Sequence, residues 1–408
     1  MIGKSPLRAN LSRLALLCVI AAPAPALAQS TRTFVDLTGS VGYSTNPFLD
    51  LDGDGSAFGR VSAFAAHSIS GERGQTEFTG FVENSTYLND YGSKQIFELA
   101  AHTRYKVSES LQLFGDAGFS GDIGGQLYGR FNNLVPVAPP VPQTGGLIIV
   151  PDQFNTDVVN LDRRQYNASG RIGAAFTISQ RDSLSVSAGA QHVFFGSDGD
   201  DLDYTVTTGN VGWQHRLTER TSVGARVGLQ RAYYAGDNTA TVISPQVSLT
   251  TRFAEGWDAD LAAGVSFVSR RSPLDNDRSV GPALDASVCR TTESERYCGR
   301  GSHSVQTVSG QNARRTTSVG ADFFKRLNPR DTLQARIGAI RYAGADSLTE
   351  SESASYYTGG VSFSRKFSDR LSGGGDLGAR KYVQSESQSI PGDFTGSAFL
   401  RYRLGDVN

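Results

Sequence analysis

The sequence predicts an all-β chain: a transmembrane, antiparallel, up-and-down β-barrel of about sixteen strands, with a range of about 14–18 once end-of-strand error is counted. Three observations carry this. The chain opens on an export leader, its hydrophobicity then alternates with period two, and short turns alternate with longer connections down its length.

Residues 1–28 read as a cleaved secretory signal peptide. Lys4, Arg8 and Arg13 form the basic end, Leu14 to Ala22 the apolar stretch, and Ala26-Leu27-Ala28 a small-x-small cleavage site before Gln29. The apolar run is too short to span about 30 Å of hydrocarbon. Residues 29–408 then form one barrel domain. Phe97, Leu99, Ala101, Thr103, Tyr105 and Val107 alternate with Glu98, Ala100, His102, Arg104 and Lys106. After the turn Ser108-Glu109-Ser110, Leu111, Leu113, Ala117 and Phe119 continue the pattern. Tyr166 to Ile178 and Leu184 to Phe194 flank the turn at Gln180–Ser183 in the same way, and Val223–Leu229, Trp257–Phe267 and Phe394–Leu404 repeat it. Long connections are expected at about 44–56, 88–93, 121–161, 196–202, 235–239, 271–312, 344–354 and 385–392; those at 121–161 and 271–312 are the longest. A short/long rhythm follows if one end of every hairpin faces the periplasm and the other the exterior. Closure would pair the first strand, about Arg32–Tyr43, with Phe394–Leu404, because hydrocarbon tolerates no open sheet edge.

Composition narrows the function. Lys plus Arg (39) and Asp plus Glu (40) nearly balance, so no excess of positive charge is available for nucleic acid. Three cysteines are too few for a disulfide scaffold. A soluble sandwich would bury the apolar face, whereas here the polar faces carry Arg, Asp, Gln and Ser in numbers that suit a wet lumen.

The chain resembles Gram-negative outer-membrane porin-type barrels, and more narrowly the β-barrel porin 2 family, through Gly42-Tyr43-Ser44-Thr45-Asn46-Pro47-Phe48 and the hairpin rhythm. The resemblance implies an outer-membrane location, insertion by the barrel-assembly machinery, contact with outer-membrane lipid and, as in some members, exopolysaccharide export. The chain departs from the common aromatic C-terminus, ending Leu404-Gly405-Asp406-Val407-Asn408.

The expected function is a passive channel for small hydrophilic solutes, or a polysaccharide chain, through an Arg-rich lumen. The alternatives are a dedicated exopolysaccharide exporter and a closed structural or adhesive barrel. The candidate pore-lining residues are Glu98, Arg104, Lys106, Asp116, Arg163, Arg171, Arg226, Arg252, Asp258, Asp260, Arg270, Asp322, Arg336, Asp376, Arg380, Arg401 and Arg403, whose opposed charges would set a field across the pore. The third long loop, about 121–161, is the candidate constriction. Cys289 and Cys298, alone after cleavage, are expected to form a disulfide in an oxidising compartment. Asp50, Asp52 and Asp54 match the first half of a calcium loop, but the twelfth position is Val61 where a bidentate Glu belongs, so no cofactor is expected beyond a weak calcium site. None of the five histidines sits in a Ser/Asp pattern, so no enzyme is expected. A homo-oligomer is compatible with the fold class.

Overall fold

In the computed structural model, residues 30–89, 91–122, 164–196, 203–234, 238–272, 276–308, 312–344, 353–384 and 390–406 are described. The signal peptide, most of the 121–161 loop and Arg163 lie outside these residues. The described chain forms eighteen strands: β1 Ser30–Ser44, β2 Ser56–Ser70, β3 Gly74–Tyr87, β4 Ser93–Lys106, β5 Leu111–Asp122 and β6 Gln165–Thr177. β7 Asp182–Phe195, β8 Tyr204–Arg216, β9 Thr221–Tyr234, β10 Thr239–Ala254, β11 Trp257–Arg271 and β12 Asn276–Thr291 follow. The last six are β13 Glu295–Val308, β14 Asn312–Arg326, β15 Asp331–Gly344, β16 Ala354–Lys366, β17 Leu371–Gln384 and β18 Asp393–Gly405.

Each strand pairs antiparallel with the next, and β1 pairs with both β2 and β18, so the sheet closes on itself. The seam runs from Phe34↔Gly405 to Ser44↔Thr395. Outward positions carry exposed apolar side chains, among them Val41, Val61, Ile172, Val247, Ile337 and Leu377. That face suits hydrocarbon. Outward aromatics gather toward the strand ends: Phe97, Phe119, Tyr166 and Phe194 touch in a chain near the long-loop end, and Phe253 packs on Trp257 at the short-turn end. The short turns are closed by side chains of their first residues. Ser179, Thr218 and Ser368 accept backbone N–H bonds two and three residues on through Oγ, and Asn328 does so through Oδ1.

One expected element is corrected. The stretch 271–312 is not a loop; it holds β12 and β13, a hairpin that raises the strand number from about sixteen to eighteen. β12 does alternate at Val280, Pro282, Leu284, Ala286 and Val288, but Pro282 reads as a strand breaker. In β13 the outward positions Glu295, Gly299, Gly301 and His303 are not apolar, which erases the period-two signal. The disulfide Cys289–Cys298 forms, and it links opposed residues of this hairpin rather than pinning a loop tip.

The β12–β13 ladder runs only from Thr291↔Arg296 to Leu284↔His303. Pro282, with no N–H to give, lies just beyond its end. Above that point β13 parts from β12 but stays paired with β14 as far as Val308↔Asn312, and it lies against the inner face of β10 and β11, where Val305 packs on Val242 and Val268.

The two faces make opposite demands. Val61→Arg, on the lipid face, should lower the unfolding free energy in lipid vesicles by about 2–4 kcal/mol if it sits near the bilayer midplane. Ser62→Arg, its inward neighbour, should cost far less; equal losses in urea unfolding would contradict the assigned facing.

Candidate functional site

The lumen is where the chain's charged side chains collect. Apart from Arg163, all of the sequence-derived lining candidates stand on inward positions of their strands, opposite in parity to the exposed apolar residues. Glu98, Arg104 and Lys106 are on β4, Asp116 on β5, Arg171 on β6, Arg226 on β9 and Arg252 on β10. Asp258, Asp260 and Arg270 are on β11, Asp322 on β14, Arg336 on β15, Asp376 and Arg380 on β17, and Arg401 and Arg403 on β18.

Several of these residues meet a few positions in from the short-turn end and form a belt of ionic rungs. On β4–β6, Asp116 accepts from Arg171 Nη2 at 2.6 Å and bonds His102 Nδ1 at 2.9 Å. Across the seam, Arg403 grips the fully buried Asp36 through Nε and Nη2, both at 2.7 Å. On β13–β14, Arg300 donates to Asp322 at 2.8 Å, and Arg296 lies 4.0 Å from the same carboxylate. Arg226 reaches over β10 and β11 to Asp285 of β12 at 2.5 Å, with Gln246 donating to the same oxygen at 3.0 Å. That reach is possible because Gly264 and Ala283 put nothing large in its path. Nearer the long-loop end Arg270 pairs with Asp277. Arg252 and Asp258 pair at 3.1 Å close to the opposite mouth, where both side chains are largely open to water.

The first connection, residues 45–55, turns into the lumen. Leu49 packs on Tyr342, Ala354, Tyr356 and Tyr382 of β15–β17, while Phe48 packs on Phe58, Tyr87 and Tyr91. A single carboxylate organises this fold. Asp393 Oδ1 accepts from Ser44 Oγ at 2.6 Å and from the Asn46 N–H at 3.1 Å, and Oδ2 accepts from Arg380 Nη2 at 2.7 Å and Thr395 Oγ1 at 3.0 Å. Arg380 also donates to the Pro47 carbonyl at 2.9 Å. The Asn46 amide donates to the carbonyls of Asp50 and Pro391 and accepts from the Asp50 N–H, so a side chain with no exposure has its polar atoms paired. Leu49 takes a left-handed φ of 57°, a conformation that costs a non-glycine residue and is held here by the apolar contacts of its side chain.

The sequence singled out Asn46-Pro47-Phe48 only as a resemblance, and the structure gives these residues a mechanical part. Neither the seating of Leu49 nor the anchoring part of Asp393 was legible in the sequence. Asp36 was missed because a carboxylate in an alternating strand looks like any other inward polar position, and Asp285 because it lies in the stretch expected to be a loop, 271–312, which is β12 here. Asp50, Asp52 and Asp54 lie on the same loop, but among the described residues no three His, Cys, Asp or Glu side chains group to hold a metal ion. The loop is tied by hydrogen bonds instead. Tyr91, beside it, donates its hydroxyl to the Asp54 carbonyl at 3.0 Å, and burial, then the charge of Asp50, pushes its phenol above its ordinary range so that it stays a donor. Of the histidines, His192 faces outward and stacks on Phe194, and His102 bonds Asp116.

No family model matches the chain, the β-barrel porin 2 family included, and no curated protein matches it in sequence. Among solved structures, the chain is similar to OpdL of Pseudomonas aeruginosa (12% identity, TM-score 0.44, covering 93% of this chain and 99% of that one). It is also similar to a BenF-like porin of Pseudomonas fluorescens Pf-5 (9%, 0.46, 93% and 100%) and to the outer membrane protein OpdK of Pseudomonas aeruginosa (11%, 0.44, 92% and 99%). The closed, eighteen-stranded antiparallel barrel is set by this chain's own strand pairing.

Asp393→Ala leaves Arg380 buried beside the loop without its carboxylate, a loss of about 3–5 kcal/mol for pairs of this kind. The variant should still give a heat-shifted folded band, with the loop released and single-channel conductance raised; conductance equal to wild type would show that the loop does not narrow the path.

Proposed function

We propose that this protein is an outer-membrane channel that passes small hydrophilic solutes by diffusion and favours anions. The observation that carries the reading is the inward charge pattern. Described inward positions hold more Arg and Lys than Asp and Glu, and the two signs are unevenly placed. Carboxylates outnumber cations on β3–β5 (Glu77, Glu83, Glu98, Asp116 and Asp122 against Lys94, Arg104 and Lys106), while guanidiniums dominate β13–β15 (Arg296, Arg300, Arg314, Arg326 and Arg336 against Asp322). In an eighteen-stranded barrel these arcs lie across the lumen from one another, so a passing solute would cross a transverse field. Charge lining a narrow path raises the local concentration of counter-ions and discriminates without consuming energy. Insertion into outer-membrane lipid by the barrel-assembly machinery belongs to the same proposal, and the lumen is read as a conduit rather than an enzyme's cleft.

A second reading, the closed structural barrel, is favoured by the apolar filling near the long-loop end. There Val193, Phe195, Tyr204, Val206, Ala232, Tyr234 and Ala240 are buried on inward positions. The polysaccharide reading gains no such support. A chain of sugars would have to displace Leu49 from its tyrosine seat.

Planar-bilayer recording separates the two. Steady conductance with a reversal potential displaced toward the chloride equilibrium in a KCl gradient is expected, and Arg104→Glu, at an exposed lumen position, should shift it toward potassium. A folded, heat-shifted barrel that never conducts would favour the closed reading.

A further inference from the structure

The outer face of the barrel treats its charges differently at its two ends. Near the short turns, outward charges come as opposite pairs: Asp182 with His215 at 2.8 Å, Glu295 with Lys325 at 2.8 Å and Asp331 with Arg365 at 3.7 Å. Near the long loops, the described outward positions of β9–β17 hold Arg231, Arg271, Arg278, Arg315, Arg341 and Lys381 and no Asp or Glu. Arg231, Arg271, Arg278, Arg341 and Lys381 are exposed, and among the described residues none of these five has an ion-pair partner. The cations are also one-sided. At the same end of β1–β8 and β18 the described outward positions hold no Lys or Arg, and the aromatic chain of Phe97, Phe119, Tyr166 and Phe194 stands there instead.

Register puts three of the cations at one level. Arg231, Thr241, Ser269 and Arg278 oppose one another in turn across β9–β12, and Arg271 stands one step nearer the loops, diagonal to Arg278. Two residues lower, Leu229, Ile243, Phe267 and Val280 form the next outward row, all apolar and all exposed. The hydrocarbon boundary falls between the two rows. They are about 7 Å apart along the strands, so an arginine can keep its stem on apolar surface and its head in the polar layer. Arg231 turns toward Tyr233, nearer the loops, with its guanidinium 5.1 Å from the ring centre. Beyond β13, Arg341 opposes Thr317 and Ser355, and Lys381 opposes Tyr357. Between the two groups the wall has parted. Val305, whose position in β13 would face outward, is buried on Val242 and Val268, so no described side chain of β13 above His303 separates them on the outside.

We propose that this one-sided row is a docking site for a phosphorylated glycolipid of the outer leaflet. Its phosphates would meet Arg231 and the Arg271–Arg278 pair, its sugars Thr241 and Ser269, and its acyl chains the apolar row below, with Arg341 and Lys381 extending the site past the parted wall. The contrast between the two ends selects an outside source of negative charge. Where the protein supplies its own carboxylates the cations are paired, and where it supplies none they stand at the level of lipid headgroups. Spacing selects a head with more than one phosphate. Arg231 and Arg278 are three strand spacings apart, about 14 Å, so a lipid with a single phosphate would leave one end unmet. The site rests on the outer-membrane placement in the proposed function, with the long loops outside, and not on conduction.

The test titrates fluorescently labelled rough lipopolysaccharide onto the detergent-purified, heat-shifted protein, beside bilayer recording of the same samples. Wild type should bind it, and the same lipid stripped of phosphate should bind at least tenfold more weakly. Arg271→Gln with Arg278→Gln should also weaken binding at least tenfold, and Arg231→Gln at least threefold, all with the folded band kept. Arg365→Gln, outward at the opposite end, should bind like wild type. Equal concentrations of inorganic phosphate or phosphatidylglycerol should not displace the labelled lipid. Displacement by either, undiminished binding of the stripped lipid, or binding untouched in the folded row variants would overturn the site, and the stripped-lipid arm decides even if a variant does not fold. A barrel that binds the lipid through these residues and never conducts would uphold the site and overturn the channel; one that conducts anions and ignores the lipid would do the reverse.

Discussion

The structure depends on one constraint, that a backbone surrounded by hydrocarbon must find all its hydrogen-bond partners within the protein. The chain meets it with a ladder whose last strand pairs with its first. Once the ladder is closed, every side chain has only two destinations, lipid or lumen. The period-two pattern, the exposed Val and Leu outside and the charged rungs inside are consequences of that division. The place where the ladder is interrupted, above Leu284↔His303, is also where the upper part of β13 moves inward and finds apolar partners on the inner wall.

Inside, charge is handled by pairing across strands. Asp36 and Asp393 are among the most buried groups in the molecule, and each is held by an arginine and, for Asp393, by hydroxyls and a backbone N–H. A buried pair of this kind adds little net stability over an apolar pair of the same shape, but it fixes geometry, because either partner alone would be costly. At Asp393 the geometry fixed is that of the first loop, so Ser44, Asn46, Arg380 and Thr395 act as a unit even though they come from both ends of the sequence.

Much of the fold was legible because lipid imposes alternation. Most short turns and strands announce themselves through residues such as Leu111, Leu113 and Phe119 or Tyr166 to Phe176. The facing of Arg171, Arg226 and Arg403 followed from their neighbours alone. The β12–β13 hairpin was not legible, since Pro282 and the glycines and His303 on its outward positions imitate a loop. The inward seating of the first loop was not legible for a different reason. Leu49 becomes a lumen residue only when a carboxylate on β18 holds the loop inward, and no local pattern encodes a contact between opposite ends of the chain.

That anchoring bears on how the barrel is made. Ser44 and Asp393 are 349 residues apart, so their contact is among the latest that a chain growing from its N-terminus can form. Contacts of such separation come slowly, after the loop-closure entropy of everything between has been met. The inward seating of the first loop is therefore not a property of any nascent or truncated form. It is set in the same event that docks β18 onto β1, and a barrel that stalls one strand short would be defective twice, with a raw edge in the bilayer and an entrance left unguarded.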